Sequence, residues 1–389
     1  MSLLMDMSGY LRRYGSATLE ELARHFQTAD DTIETAADVL RQKGRVARRR
    51  VLPQCTSGEC GSGGCGPNGC GSSGAHAGGR RPVTVYVWLD RAEKNKPRRR
   101  VSSQTGKTMG SFKLNDGRSI PAIGYGTWQV FDDKGGAQIV AQAIEAGYRH
   151  IDTASLYGSE GSVGEAWLTS GIDRSEFFLT SKIWKDDLSA DKARASLEKS
   201  LKLMRTEYLD LLLIHWPRRN PTDALWKERL AETWKAMIGF REEGLVKSIG
   251  VANFLPHHFE ALASDVVPCC DQIEYHVGYR QQEAVDYCQT RGIQVVAWAS
   301  IGKAALLTMP LVEELAKKYT RTPAQICLRF CLDQGILPLV KTADPARMRE
   351  NLDCFGFTLE AEDIEKLRAV ADRTAWSGEH PDDAIPLCD

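Results

Sequence analysis

The chain has 389 residues, of which 42% are hydrophobic and 26% are charged, as is ordinary for a globular protein. This length exceeds what one hydrophobic core fills, so we expect one large and one small domain. No apolar run approaches the roughly 18 residues that a membrane span needs, and the N-terminus lacks the residue order of a signal peptide. These features exclude an integral membrane protein and predict a cytoplasmic one.

The net charge of −1 conceals two regions of opposite charge. Residues 1–108 carry 18 Lys and Arg against 10 Asp and Glu, whereas the remainder carries 32 against 41. A basic N-terminal region joined to an acidic body favours a nucleic acid or an acidic protein as the partner of the small domain.

The first 90 residues have the pattern of a winged helix. A helix to about Tyr14 precedes a second helix, which begins at the capping box of Thr18 and Glu21, and a third, which begins at Asp30 and Asp31. The third helix places four apolar residues on one face: Ile33, Ala36, Ala37 and Leu40. Two candidate strands, RVARRRVLP and VTVYVWLD, then flank a loop rich in Gly, Ser and Cys. The sequence therefore predicts a small winged-helix domain over residues 1–90 with the cysteine loop as its wing.

A barrel follows this domain. Residues 91–108 carry seven Lys and Arg and almost no apolar residues, which predicts a basic flexible linker. From residue 109 to 389, eight apolar runs alternate with amphipathic helices: AIGYG, YRHID, FFLTS, LDLLLIHW, VKSIGV, CCDQIE, IQVVAWA and ILPLV. Strands that alternate with helices form a parallel sheet, and eight of them close a barrel of about 250 residues. The predicted fold class is α/β, a (β/α)8 TIM barrel.

Polar residues follow several of these runs, at the barrel end where active sites form. Asp152 ends YRHID, Tyr157 lies in the loop after it, Lys182 ends FFLTSK, and His215 ends LDLLLIH. Reduction of a carbonyl group needs a proton donor, and a tyrosine suits this role beside a lysine ammonium that a carboxylate keeps charged. A histidine can orient the carbonyl oxygen. Taken singly, each residue fits an ordinary structural role better, but the four together predict a catalytic site.

The segments DTASLYGSEGSVGEA, SKIW and LLIHWP resemble the active-site segments of the aldo-keto reductases, and the resemblance covers residues 110–385. It implies reduction of aldehydes or ketones to alcohols with NADPH by the tetrad Asp152, Tyr157, Lys182 and His215. Three tryptophans at matched positions imply a wall for the substrate pocket: Trp128, Trp184 and Trp216.

The resemblance also implies residues that bind the nicotinamide. VKSIGVANF and DQIEYH are similar to the segments that hold the carboxamide, which implies this role for Asn253 and Gln272. VVAWASIG resembles the segment whose aromatic residue stacks on the nicotinamide ring, here Trp298. Ala252 departs from the family's usual serine and Trp298 from its usual tyrosine, so we expect stacking without these two hydroxyls.

LVKTADPARMREN is similar to the family's adenosine-phosphate signature. The match implies that Lys341, Thr342 and Arg347 bind the 2'-phosphate, and that Glu350 and Asn351 face the adenine. A lysine charge, an arginine fork and a hydroxyl together suit a phosphate dianion, which favours NADPH over NADH. The alternative interpretation is a helix start with ordinary surface charges.

A second group of candidate ligands lies in the loop of the small domain. Cys55, Cys60, Cys65 and Cys70 form a C-x4-C-x4-C-x4-C motif, which in a cytoplasmic protein favours a metal over disulfides. Thiolates select an iron-sulfur cluster or zinc, and the wide spacing favours the cluster because zinc sites tend to pair cysteines more closely. The alternative is a disordered loop of free thiols.

Together with the winged helix, residues 1–90 resemble the ferrous iron transport protein C family, whose members are small winged-helix proteins with a cysteine-rich wing. The even cysteine spacing departs from the family's closer inner pair. Three roles therefore stay open for the small domain. It transmits NADPH or iron status to DNA, or it docks on a ferrous iron transporter as an accessory, or it acts independently of the barrel.

The sequence predicts ordinary structural roles for two further pairs of residues. His257 and His258 begin a helix after Pro256 and are expected to be solvated. Cys327 and Cys331 lie four residues apart on an apolar helix face, which predicts core packing.

Overall fold

The computed structural model describes residues 16–42, 46–51, 83–88 and 110–383, and five single residues before them, Leu3, Asp6, Met7, Tyr10 and Leu11. The chain divides into two compact units, Met1–Gly106 and Lys107–Asp389. The linker predicted over residues 91–108 lies outside the described residues.

The described residues of the first unit include two continuous helices and a small sheet, and the five single residues before them are helical, as the sequence predicts for a helix to about Tyr14. The helices are α1, Leu19–Phe26, and α2, Asp30–Gln42, and the strands are β1, Ser16–Thr18, β2, Val46–Val51, and β3, Val83–Trp88. The predicted capping box starts α1, because the Glu21 amide donates to Thr18 Oγ1 at 3.1 Å and Glu21 Oε2 accepts from the Thr18 amide at 2.7 Å. All four predicted apolar positions of α2 are buried, and they pack with Leu22 and Tyr86.

The sheet of this unit has three antiparallel strands in the order β1-β3-β2, not the predicted two. The additional strand β1 ends at Thr18, the residue that caps α1. A capping residue adopts extended backbone angles, here φ −75° and ψ 161°, so the residues before it can pair with a neighbouring strand. Burial of Ala17, which lies opposite Tyr86, stabilises this pairing.

The second unit opens with a hairpin that the sequence does not predict, formed by β4, Ser111–Lys113, and β5, Ser119–Pro121. Eight parallel strands follow and close a barrel: β6, Gly124–Gly126; β7, His150–Asp152; β8, Phe178–Ile183; β9, Leu209–Ile214; β10, Val246–Ala252; β11, Cys270–Glu274; β12, Gln294–Trp298; β13, Leu337–Val340. Each predicted apolar run overlaps one of these strands, so the predicted (β/α)8 barrel is confirmed.

Helices cover the outside of the barrel: α3, Gly136–Ala146; α4, Glu160–Thr169; α5, Ala190–Leu203; α6, Trp226–Glu242; α7, Pro256–Glu260; α8, Gln282–Thr290; α9, Pro310–Tyr319; α10, Pro323–Asp333; α11, Pro345–Leu352; α12, Ala361–Arg368. Their buried apolar faces and the outward residues of the strands form the main core. Among the helices in the described parts of the chain, none combines the length and apolarity needed to cross a bilayer.

A second core lies inside the barrel and fills one end of it. Leu114 and Ile120 of the hairpin pack there against residues near the starts of several strands, such as Phe178 and Leu211. Apolar packing therefore occupies the N-terminal end of the barrel, and the polar residues that end the strands are left at the opposite end.

We expect Gly164→Ala to destabilise the barrel, because helix α4 contacts the end of α5 at this glycine. A Cβ at Gly164 would lie 2.5 Å from the carbonyl oxygen of Leu203, so the helices must separate at a cost of about 1–3 kcal/mol. Gly239→Ala in α6 is the matched control. Nothing lies within 4 Å of the Cβ that alanine adds there. Replacing this helical glycine should therefore stabilise the folded protein by about 0.5–1 kcal/mol. Equal thermal unfolding midpoints of the two variants would contradict this packing.

Candidate active site

Four polar side chains meet where three neighbouring strands end. Asp152 is the last residue of β7, Lys182 lies near the end of β8, and His215 directly follows β9. Tyr157 lies in the loop after β7. Because parallel barrel strands all end on the same rim, these residues are close together although they are distant in the sequence. The structure thus brings together the four residues that the sequence proposes as catalytic.

Lys182 is the central residue of this group. Its Nζ donates to Asp152 Oδ1 at 2.6 Å, to the Thr153 carbonyl at 2.8 Å and to the Tyr157 hydroxyl at 3.4 Å. Burial acts to lower the pKa of Lys182, but the attraction of Asp152 and Tyr157 outweighs it, so the pKa lies above its ordinary value. Lys182 is therefore a buried ammonium with three acceptors.

The pKa of Tyr157 differs from the expectation drawn from the sequence, in which the neighbouring lysine favours the phenolate. Burial raises the pKa of Tyr157 above its ordinary value, and the opposing effect of Lys182 is smaller. The hydroxyl is therefore protonated at neutral pH and lies 3.4 Å from both Lys182 Nζ and His215 Nε2. It is placed to give up a proton next to a cation.

His215 is neutral at the same pH. Burial, and then the nearby Lys182, hold the pKa of His215 well below its ordinary value. Its side chain is buried, and within the described residues its Nδ1 has no hydrogen-bond partner. Its Nε2 faces the Tyr157 hydroxyl, so the ring contributes a dipole and no net charge to the site.

The three proposed nicotinamide residues are hydrogen-bonded to this group. Gln272 Nε2 donates to Asp152 Oδ2 at 2.8 Å, and Asn253 Nδ2 donates to the His215 carbonyl at 2.9 Å. Trp298 Nε1 donates to Asn253 Oδ1 at 2.8 Å. Cofactor-binding candidates and catalytic candidates therefore form one continuous network.

Asp271 supports this network and was missed by the sequence analysis. It is fully buried in β11, and its Oδ1 accepts from the Phe254 amide at 3.4 Å. The adjoining Asn253 has a left-handed backbone with φ +61°, which a non-glycine residue rarely adopts. Burial raises the pKa of Asp271 well above its ordinary value. An acidic residue within an apolar strand run is the signal that could have found it.

The proposed phosphate and adenine residues follow β13, on and before helix α11. Lys341 is exposed, and Arg347, with 70% of its side chain exposed, lies 3.7 Å from the Asp344 carboxylate. Thr342 Oγ1 accepts from the Asp344 amide at 3.1 Å. Two further candidates lie on α11, where Glu350 is half-buried and Asn351 is buried.

The proposed tryptophan wall divides into two kinds of residue. Trp128 is 43% exposed and its ring contacts Tyr157 edge-on, with centroids 4.8 Å apart. Trp184 contacts the His215 ring with centroids 5.1 Å apart. Trp216, by contrast, is only 6% exposed, so it offers little surface to a substrate.

The expectation that both histidines of α7 are solvated is wrong for His258. Its side chain is fully buried, and burial followed by the nearby His257 lowers its pKa to about 4. Both histidine Nε2 atoms lie 3.0 Å from Asp382 Oδ1, in the C-terminal segment. Because His258 Nδ1 accepts from the Leu255 amide, its Nε2 carries the proton and donates to Asp382. This contact anchors Asp382. Both nitrogens of His258 are thereby used, so its ring has no free lone pair for a metal ion.

The cysteines for which the sequence predicts a role fall into two groups. Cys327 and Cys331 are fully buried in the main core, as predicted. The proposed metal ligands Cys55, Cys60, Cys65 and Cys70 lie outside the described residues.

Two family models match the chain. One is the aldo/keto reductase family, over residues 122–372, and the other is the FeoC like transcriptional regulator, over residues 3–72. Both resemblances inferred from the sequence are thereby confirmed.

Similar proteins match over the barrel. Glyoxal reductase of Bacillus subtilis is 36% identical over 277 residues, which cover 71% of this chain and 97% of that protein. Methylglyoxal reductase DkgA of Escherichia coli is 36% identical over 275 residues, which cover 70% and 96%. The crystal structure of an aldo/keto reductase from Brucella melitensis has a TM-score of 0.63 and 41% identity, with 67% of this chain and 98% of that chain covered.

Several of the similar structures contain a nicotinamide nucleotide. The aldo-keto reductase of Bombyx mori in complex with NADP has a TM-score of 0.63 and 32% identity, with 72% of this chain and 100% of that chain covered. The chain therefore belongs to the aldo/keto reductase family, and its barrel is an NAD(P)H-dependent oxidoreductase.

Proposed function

We propose that the barrel reduces aldehydes and ketones to alcohols with NADPH, and that Tyr157 is the proton donor. The observation that carries this proposal is the position of the Tyr157 hydroxyl, 3.4 Å from the Lys182 ammonium and 3.4 Å from the neutral His215 ring. A protonated phenol beside a fixed cation suits proton transfer to a carbonyl oxygen.

The residues proposed for NADPH fit such a molecule chemically. Lys341 and Arg347 are exposed cations, which suit a phosphate, and the half-buried Trp298 suits an aromatic ring. Within residues 110–383, no group donates a hydrogen bond to the buried Oδ1 of Asn351, which suits the amino group of an adenine. Glu350 and Thr342 complete this set. When bound, NADPH supplies the hydride that reduces the carbonyl carbon.

The protein's own side chains supply the proton for the carbonyl oxygen. Tyr157 donates its hydroxyl proton to the carbonyl oxygen, and Lys182 stabilises the phenolate that remains. Asp152 keeps Lys182 charged through the 2.6 Å contact. The neutral His215 orients the carbonyl oxygen and shares its developing charge.

Small aldehydes with a second carbonyl group are the substrate class that we favour. Two of the similar proteins, of Bacillus subtilis and Escherichia coli, are named for the reduction of glyoxal and methylglyoxal. Trp128 and Trp184 contact Tyr157 and His215 from the side, so we assign the substrate wall to these two residues and a minor part to Trp216.

For the first unit we propose a winged helix, residues 1–90, that acts as a regulator or sensor. Its match to a FeoC like transcriptional regulator favours this function. Two helices and a three-stranded antiparallel sheet are compatible with a winged helix. DNA is the partner that we favour, a ferrous iron transporter is the second candidate, and independence from the barrel is the third.

We further propose that Cys55, Cys60, Cys65 and Cys70 ligate an iron-sulfur cluster. Four thiols within sixteen residues form a soft donor set, which selects iron-sulfur or zinc over hard metals. A cytoplasmic location, where thiols stay reduced, is part of this proposal.

Tyr157→Phe is expected to lower kcat for carbonyl reduction by roughly 10²–10⁴-fold, because the proton donor is lost. The NADPH dissociation constant, measured by fluorescence quenching, should hardly change. Tyr208→Phe, which removes a hydroxyl just before β9 at the opposite end of the barrel, is the control. Near-full activity of Tyr157→Phe would contradict the mechanism.

Arg347→Ala is expected to raise the NADPH dissociation constant about tenfold or more and to leave that of NADH unchanged, because a charged hydrogen bond to the 2'-phosphate is lost. Arg349→Ala is the control, since residues two apart on a helix do not share a face. An equal loss for both cofactors on Arg347→Ala would refute the assignment.

The protein purified without oxygen should be brown with broad visible absorption, and air should bleach it. The variant with all four cysteines changed to serine should be colourless and retain barrel activity. Colourless wild-type protein with stoichiometric zinc, or with no metal, argues decisively against the cluster.

A further inference from the structure

The C-terminal segment, residues 371–383, is fastened to the barrel end that carries the candidate active site. Its first fastening is Ser377, whose amide and hydroxyl donate to the Glu274 carboxylate at 2.9 and 2.6 Å. Glu274 is the last residue of β11 and is buried, so it fixes Ser377 directly at the rim.

The second fastening is Asp382. Its Oδ1 accepts from His257 and His258 at 3.0 Å each and from Arg218 at 3.4 Å. Arg218 follows β9 and the histidines follow β10, so Asp382 is bound to residues from two further strand ends. The stretch between the two fastenings is therefore held at both ends.

Glu379 lies in this stretch, beside the proposed nicotinamide site. Its Oε1 is 4.0 Å from Lys303 Nζ, and that Nζ lies 5.9 Å from the ring centroid of Trp298. The Glu379 side chain is 28% exposed, whereas Lys303 is 56% exposed and so is better screened by water.

The charge of Glu379 is felt at Tyr157. Burial is the main cause of the raised pKa of Tyr157, the Asp152 carboxylate adds to it, and the Glu379 carboxylate adds a smaller part. Burial also raises the pKa of Glu379 itself, against the opposing effect of Lys303. A partly desolvated carboxylate within electrostatic reach of the proton donor repels other anions that approach it.

We infer that Glu379 is a specificity-determining residue, which disfavours carbonyl substrates that bear a carboxylate and so reserves the site for neutral ones. The inference rests on the proposed function, since it assigns substrate selection to the same site. An uncharged carbonyl compound meets no such repulsion, whereas an anion must approach the carboxylate in a region that water screens poorly.

The test compares two substrates of similar shape, para-nitrobenzaldehyde and para-carboxybenzaldehyde, with NADPH. We expect the wild type to have a lower kcat/KM for the carboxylate. Glu379→Gln should raise the ratio of carboxylate to nitro kcat/KM by about threefold or more, mostly through KM, and Glu379→Lys should raise it further. The matched control is Glu362→Gln, a 79% exposed glutamate of α12, which should leave the ratio unchanged.

Salt gives a second measurement. Added salt should change the wild-type ratio of carboxylate to nitro kcat/KM only slightly, because salt screens partly buried charges much less than exposed ones. A ratio that rises steeply with salt would assign the repulsion to exposed surface charges and would also overturn the inference. An unchanged ratio in both Glu379 variants, with the wild type active on para-nitrobenzaldehyde, overturns the inference. An equal loss on both substrates also overturns it, because Glu379 would then only hold the segment in place. A wild type that reduces neither these aldehydes nor methylglyoxal defeats the proposed function itself. If it reduces methylglyoxal alone, the ratio of glyoxylate to methylglyoxal kcat/KM in the same variants decides in the same way.

Discussion

The buried ion pair of Lys182 and Asp152 is the constraint on which the candidate site depends. Both side chains are almost wholly removed from water, and removal of one partner from such a pair costs about 3–5 kcal/mol because the other stays charged and unpaired. Asp152 Oδ2 also accepts from Gln272 of β11, a strand that is not adjacent to β7 in the barrel. The same carboxylate therefore keeps the lysine charged and connects the candidate catalytic residues to the proposed cofactor residues.

The barrel separates apolar from polar chemistry along its axis. The hairpin of β4 and β5 seals one end with Leu114 and Ile120, so water is excluded below the site. At the other end, the strand termini supply side chains whose charges act in a poorly solvated environment. This burial, more than any single neighbour, holds the pKa of Tyr157 above and that of His215 below its ordinary value, so the His215 ring is neutral. The fold thus contributes protonation states as well as positions.

The C-terminal segment gives the site an asymmetric boundary. Ser377 and Asp382 of the segment bind side chains that follow or end three different strands. Glu379 is the charged residue between these two contacts. The two fastenings flank Glu379, whose carboxylate lies 4.0 Å from Lys303 Nζ, itself 5.9 Å from the Trp298 ring centroid. The segment is therefore a structural part of the site and not an appendage of the last helix.

The sequence alone determined the eight barrel strands and the four catalytic candidates, because strand periodicity and the residue that ends each strand are local properties. Its local capping signal also predicted the start of α1 at Thr18. It could not predict strand β1, the burial of His258 or the support of Asn253 by Asp271. Each of these depends on a partner distant in the chain: Tyr86, Asp382 and Phe254, respectively. The direction in which the pKa of Tyr157 shifts likewise depends on desolvation by the assembled barrel, which only the tertiary structure decided.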